Sequence, residues 1–226
     1  MDIIKVFQEA FPLLLRGLGV TAQITVISLI IAFFLGLLVC LMGMSKVAPL
    51  RGISKFYIWL IRGTPLMVQT FFVFFGFVQL IQAIGFADFR LSAFQAGVIT
   101  LSLNAGAYIA EIFRGGIQAV DAGQMEAARS LGLSKGRAMT KVVLPQALRI
   151  SIPSLVNQII ITLKDTSIIS VISLAEIVYE AKIYIGRTMT SFATWTVVAF
   201  MYLALISLLT WLSRTVEKKL DYGKQS

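Results

Sequence analysis

The sequence contains no histidine and one cysteine, Cys40. Without histidine there is no imidazole ligand for a metal or haem, and no His-based general base or triad. One cysteine makes no internal disulfide and no thiolate cluster for zinc. No cofactor is expected. The phosphate-cradling pattern G-x-x-x-x-G-K-[ST] is missing as well, so any ATP chemistry would sit on another chain. Charge is scarce: 14% of the 226 residues are charged, where a soluble domain has about 25%. What is present is apolar. Hydrophobic residues make up 58% of the chain and mean hydropathy is +0.86. That content excludes an ordinary cytosolic globular domain, and it excludes disorder, which needs few hydrophobes. The net charge of +9 has two readings, nucleic acid or membrane topology, and its placement separates them.

Stretches without charge are the main structural signal. They cover 17–45, 63–87, 91–110 and 188–213, and 150–175 is broken only by Lys164-Asp165. Each is long enough to cross about 30 Å of hydrocarbon as a helix. Five transmembrane helices are therefore expected, the third running on to 113. Lipid requires internally satisfied backbones, and the runs lack the alternation of a barrel strand. Before them, 1–16 places Ile3, Ile4, Phe7, Phe11, Leu14 and Leu15 at helical spacing. It reads as a surface amphipathic segment or as the leading turns of span one. It opens with Asp2 and lacks a basic start, so a cleaved signal peptide is not expected.

Lysine and arginine sort by side. The 46–62 loop, the 114–149 loop and the C-terminal tail carry fourteen of the twenty, and the opposite side carries five. The positive-inside rule then places the N-terminus outside and the C-terminus in the cytoplasm. The excess charge marks topology, and no nucleic-acid partner is needed.

The longest segment outside the spans is the loop 114–149. Asp121 suits an N-cap, Gly132 a helix end and Ser134 a second N-cap, and Pro145 ends or kinks the second helix. Two short helices joined at a glycine turn are expected. Small Ala127 and Ala128 between Glu126 and Arg129 suit a groove on another protein. The basic residues could instead touch anionic lipid. Upstream, Pro65 suits a first helical turn with Thr64 as its N-cap.

Glu126-Ala127-Ala128, then Gly132, then Val142-x-Leu144-Pro145 resembles the EAA loop of ABC-importer permease subunits. The family usually has isoleucine at the place of Val142. Arg62-Gly63-Thr64-Pro65-Leu66, 104-NAGAYIAEIFRGGI-117 and 164-KDTS-167 look like the permeases of polar amino acid uptake systems, such as those for histidine, glutamine or arginine. The resemblance covers essentially the whole chain. It implies an all-α integral membrane protein of the type I importer permease class, with five spans and a cytoplasmic coupling helix. It implies a multi-pass location in the bacterial cytoplasmic membrane. It implies a second permease subunit, a homodimer mate or a paralogue, together with a separate ATPase and an external solute-binding protein. Glu126, Ala127, Ala128, Arg129 and Gly132 would carry the coupling to the ATPase. The chain would not be an enzyme by itself.

Charged groups inside a bilayer are costly and are functional candidates by default. Lys164 and Asp165 fall near mid-membrane, and a zwitterionic amino acid would suit a basic and an acidic group there. Thr166, Ser167 and Ser170 add hydroxyls that bond a solute or their own helix. Asn104, Tyr108 and Glu111 share one face of span three. Asn104 and Tyr108 are expected to contact the solute, and Glu111 to pair with Arg114. Gly106 and its small neighbours suit helix packing, and Asn157 and Gln158 suit polar bonding between helices. A rival reading is a self-contained secondary transporter or channel relaying ions through Lys164, Asp165 and Glu111.

Overall fold

A computed structural model describes the backbone of residues 3–221 and the side chains of 4–212 and 215. Lys224, one of the sided charges, lies outside the described residues, as does Asp2. Every element among the described residues is helical. In chain order they are α1 (Ile3–Met44), α2 (Ala48–Arg62), α3 (Leu66–Ala83), α4 (Ala93–Gln118), α5 (Ala122–Ser130), α6 (Lys135–Ile172), α7 (Ile177–Thr188) and α8 (Ser191–Asp221). Five of them, α1, α3, α4, α6 and α8, are long and apolar enough to cross a membrane.

The 1–16 stretch is no separate element. Helix α1 runs unbroken for 42 residues through Pro12, which is about 63 Å at 1.5 Å per residue. Its first turns are held by packing. Val6, Ala10 and Leu14 are buried in a cluster with Ile177, Ala181, Tyr184, Ala193 and Val197 from α7 and α8. The Tyr184 hydroxyl also donates to Glu9 at 2.9 Å.

Side-chain contacts fix the helix directions. Along α1 and α4, a Cβ on Gly97 would meet Ile24, and one on Gly36 would meet Ile109 and the Gly106 carbonyl. Both numbers rise together, so α1 and α4 are parallel. On α6 the order reverses: Ser151 touches Gly116 and Ile169 touches Gly97. Helix α3 is also antiparallel to α4, because Gln69 bonds Asn104 while Val73 packs near Ala96 and Leu101. Consecutive spans from α1 through α3 and α4 to α6 therefore run in opposite directions, as in a multi-pass membrane chain.

Helix α4 is the centre of the bundle. Of its apolar window, 72% is buried, against 17% for α3 and 22% for α8. The outward faces of α1 and α3 carry large apolar side chains such as Ile30, Phe34, Leu38, Phe72 and Phe75. With no water to avoid in lipid, helix association relies on close packing. Gly36 allows that approach, since a Cβ there would stand 2.7 Å from the Ile109 side chain.

Two departures from a regular helix have local causes. In α6 a π-turn covers Met139–Val143, closed by the Leu144 N–H on the Met139 carbonyl. Pro145 follows directly and lacks an N–H to continue the regular ladder. The helix accommodates this proline and continues to Ile172, so Pro145 does not end it. In α3 a second π-turn spans Phe72–Phe77. Helices α2 and α7 lie in stretches expected to be loops.

Candidate functional site

A groove of about 690 Å³ opens between α4 and α6, with Arg62 at its edge. Tyr108, Glu111, Ile112 and Gly115 line one wall, and Ile150, Ser154, Asn157 and Ile161 line the other. The wall on α6 is a stripe at helical spacing, 150, 154, 157 and 161, polar at Ser154 and Asn157 and apolar at Ile150 and Ile161, with Ser151 and Gln158 beside it. That periodicity stands in the sequence, but it lies in a run otherwise read only as a span. Ser151 and Ser154 are the residues that sequence reasoning passed over.

An ionic cluster marks the groove's rim. Glu111 Oε2 accepts from Arg62 Nη1 at 3.0 Å and from Arg114 Nη2 at 2.8 Å. Glu111 Oε1 accepts from Arg114 Nε at 2.8 Å. The Arg114 contact is bidentate, the stronger geometry for a guanidinium. Arg62 also lies over the Tyr108 ring at 5.4 Å, within cation–π range. Two guanidiniums share one carboxylate, so the cluster keeps one positive charge in excess.

The turn at Gly63-Thr64-Pro65 is tied to α4 through Gln69. The Gln69 amide donates to the Ile61 and Thr64 carbonyls at 2.7 and 3.0 Å and to the Thr64 hydroxyl at 2.9 Å. Its carbonyl accepts from Asn104 Nδ2 at 3.0 Å. Thr64 therefore does not cap α3. Its hydroxyl donates back to Leu60 at the end of α2, and Pro65 occupies the position before α3.

The expected solute contacts divide. Tyr108 lines the groove. Asn104 is 7% exposed, bonds Gln69 and stands one step behind the groove wall. Lys164 and Asp165 lie outside the groove. Lys164 is exposed and Asp165 half-buried, and neither forms an ion pair among the described residues. Thr166 is fully buried and donates to the Leu163 carbonyl, and Ser167 donates to the Lys164 carbonyl, each at 2.7 Å. Glu111 is bound by two arginines and makes no contact with Lys164 or Asp165, so the three do not form one relay. No group of three metal-ligating side chains occurs among the described residues.

The helix–turn–helix loop forms as its caps dictate. Asp121 accepts from the Gly123 N–H at 2.6 Å, and Ser134 from the Arg137 N–H at 3.5 Å. The end of α5 is a Schellman turn: Leu133 N–H bonds Ala128 O at 3.2 Å and Gly132 N–H bonds Arg129 O at 3.0 Å. Gly132 sits at φ +85°, where a side chain would be strained. Ala128 is buried against the loop, whereas Glu126, Ala127 and Arg129 face out and Leu131 is 86% exposed.

Comparisons with known proteins agree on one family. The model described as "Binding-protein-dependent transport system inner membrane component" matches residues 38–222. The arginine transport system permease protein ArtQ of Bacillus subtilis is 37% identical over 92% of this chain and 93% of its own length. The L-cystine transport system permease protein TcyB of the same organism is 37% identical over 95% and 89%. Among solved structures, a chain in the crystal structure of an amino acid ABC transporter with histidines superposes with a TM-score of 0.90. It shares 36% identity, and the match covers 97% of this chain and 99% of that one. A chain of the MetNI methionine ABC transporter, at 19% identity and a TM-score of 0.76, shares the fold.

Proposed function

The chain belongs to the family of binding-protein-dependent transport system inner membrane components, and from that premise we propose that it is the translocation subunit of an ATP-driven importer for polar amino acids. Hydrolysis is carried by a separate ATPase, and an external binding protein delivers the solute. The observation that carries this reading is α5. It is a short helix capped at both ends by its own residues, and it presents Glu126, Ala127, Arg129 and Leu131 away from the bundle. A rigid, exposed helix carrying small Ala127 beside Glu126 and Arg129 suits insertion into a groove on a moving partner. The N-terminus is outside and the C-terminus cytoplasmic on the positive-inside rule, which puts α5 on the ATPase side.

Lys164 supports a second permease subunit. Ile169 is level with Gly97 and Ser151 with Gly116, so Lys164 lies between those levels, within the span. An exposed ammonium at that depth is not stable against hydrocarbon. It faces a paired subunit or the water-filled path between the two. The solute path runs along the groove of Tyr108, Ser154, Asn157 and Gln158. The excess positive charge of the Arg62–Glu111–Arg114 cluster favours a carboxylate there.

The test is uptake of labelled amino acids into vesicles holding this chain with its ATPase and binding protein. Uptake is expected only with ATP inside the ATPase-facing compartment. Glu126→Lys and Gly132→Pro are expected to abolish it while membrane insertion stays normal. Uptake driven by a proton gradient without any ATPase would overturn the proposal.

A further inference from the structure

Helix α2 has three faces, and one of them fits neither the bundle nor water. At about 100° per residue, Ser54, Tyr57, Ile58 and Ile61 fall on one side. That side meets the bundle. Ser54 Oγ donates to the Val39 carbonyl at 2.8 Å, the Tyr57 hydroxyl donates to the Leu103 carbonyl, and Ile58 packs among Val39, Cys40 and Ala105. The second side carries Ile53, Phe56, Trp59 and Leu60, exposed by 56, 60, 69 and 41%. The third carries Arg51 and Lys55, both exposed, with exposed Lys46 just ahead of the helix.

The attachment points give the helix its tilt. Its N-terminal half touches Val39 and Gly43, close to the end of α1 at Met44. Its last residue, Arg62, pairs with Glu111, two turns before the end of α4 at Gln118. Both ends of α2 thus sit near the same end of the parallel pair α1 and α4, so the helix lies across the bundle and does not thread through it. Its apolar side, with Phe56 and Trp59 rings 5.9 Å apart, and its basic side both face away from the bundle, in different directions.

Charge decides which headgroups. No Asp or Glu occurs between Glu9 and Asp88, and Lys46, Arg51 and Lys55 make no ion pair among the described residues. Glu111, the carboxylate bound at the end of α2, is already taken by Arg62 and Arg114. We propose that α2 is an interfacial helix that seats anionic phospholipid, its phosphate against Lys46, Arg51 and Lys55 and its chains against Ile53, Phe56 and Trp59. The proposal rests on the five spans lying in a bilayer, and it holds whichever face is cytoplasmic. Because α2 leads through Arg62 into the groove-side cluster, a bound lipid would brace the turn that carries it.

Trp59 supplies the probe. The full chain with Trp195→Phe and Trp211→Phe keeps Trp59 as its one tryptophan. It is reconstituted in phosphatidylcholine vesicles containing equal mole fractions of brominated phosphatidylglycerol or of brominated phosphatidylcholine. Brominated phosphatidylglycerol is expected to quench Trp59 at least about twofold more strongly. The preference should shrink at high salt, which screens exposed charges. Arg51→Gln with Lys55→Gln should bring the two lipids to equal quenching while both still quench, which shows that the helix stays seated. Arg51→Lys should retain the preference, separating charge from side-chain shape. Equal quenching in the parent would overturn the headgroup site. Absence of quenching by either lipid would overturn it too, because it would mean that protein covers this face.

Discussion

Glu111 and Glu176 hold two ends of the bundle in opposite ways. Glu111 on α4 is clamped by Arg62 and Arg114, with both guanidiniums nearly half in water. Glu176 caps α7 at the other end and is fully buried. It makes no ion pair among the described residues. One oxygen accepts from the Tyr179 N–H at 2.8 Å and the other from the Tyr202 hydroxyl at 3.3 Å. Lys182, the basic residue nearest to it in sequence, donates to Ser170. Burial pushes the Glu176 carboxyl up to about 7 from its ordinary 4.5. A buried carboxyl with neutral donors meets the cost of desolvation by holding its proton. One with cations nearby keeps its charge. The first is a structural pin, and the second is held as an ion pair at the rim of the groove.

The comparison breaks hardest at the buried pin. Glu176→Ala removes the acceptor of two buried donors and opens a void, and it should cost about 2–4 kcal/mol of stability. Thermal unfolding of the purified chain measures this, and an unchanged midpoint would show that the corner does not pin the fold. Titration sharpens the contrast. The folded carboxyl of Glu176 titrates above its unfolded value, so its contribution is full below pH 4.5 and is lost as pH rises through 7. Stability of the parent should fall over that window by up to about 1.4 kcal/mol per pH unit, and Glu176→Gln should flatten the fall. Glu111→Gln should cost less, about 1 kcal/mol, because its partners are solvated. That loss should diminish in high salt, whereas the effect of Glu176→Gln should not. Transport should suffer more than stability, since Arg62 then stands at the groove's edge without its carboxylate. Arg62→Lys keeps the charge but loses the flat contact with Tyr108, and about 0.5 kcal/mol is expected. Equal uptake in Arg62→Lys and parent would leave only the charge of Arg62 at work.

Much of the architecture was legible because lipid leaves few options. Long uncharged runs must be helices there, and alternate directions follow from short connections. The caps at Asp121, Gly132 and Ser134 were legible for a similar reason, since each acts within a few residues of itself. Helix α2 was not read. Arg51, Lys55 and Arg62 interrupt every uncharged window, and the stretch counted as a charged loop. Its apolar spacing at Ile53, Tyr57, Leu60 and Ile61 was the available signal. Glu176 lies between the last two uncharged runs and drew no expectation, because nothing local shows that Tyr202, far along the chain, closes over it.

The solute candidates show the same division. Lys164 and Asp165 stood out by composition, yet the groove forms around Tyr108, Ser154 and Asn157 from two distant helices. Asn104 drew notice as a solute contact, but it stands behind the groove wall and bonds Gln69 of α3. Hydrophobic length and local hydrogen bonding along the chain settle the five spans, their alternation and the capped helix–turn–helix loop. Only the tertiary structure decided which polar groups are pinned, which stay open and where the groove lies. Those properties depend on contacts between helices, and no local pattern along the chain encodes them.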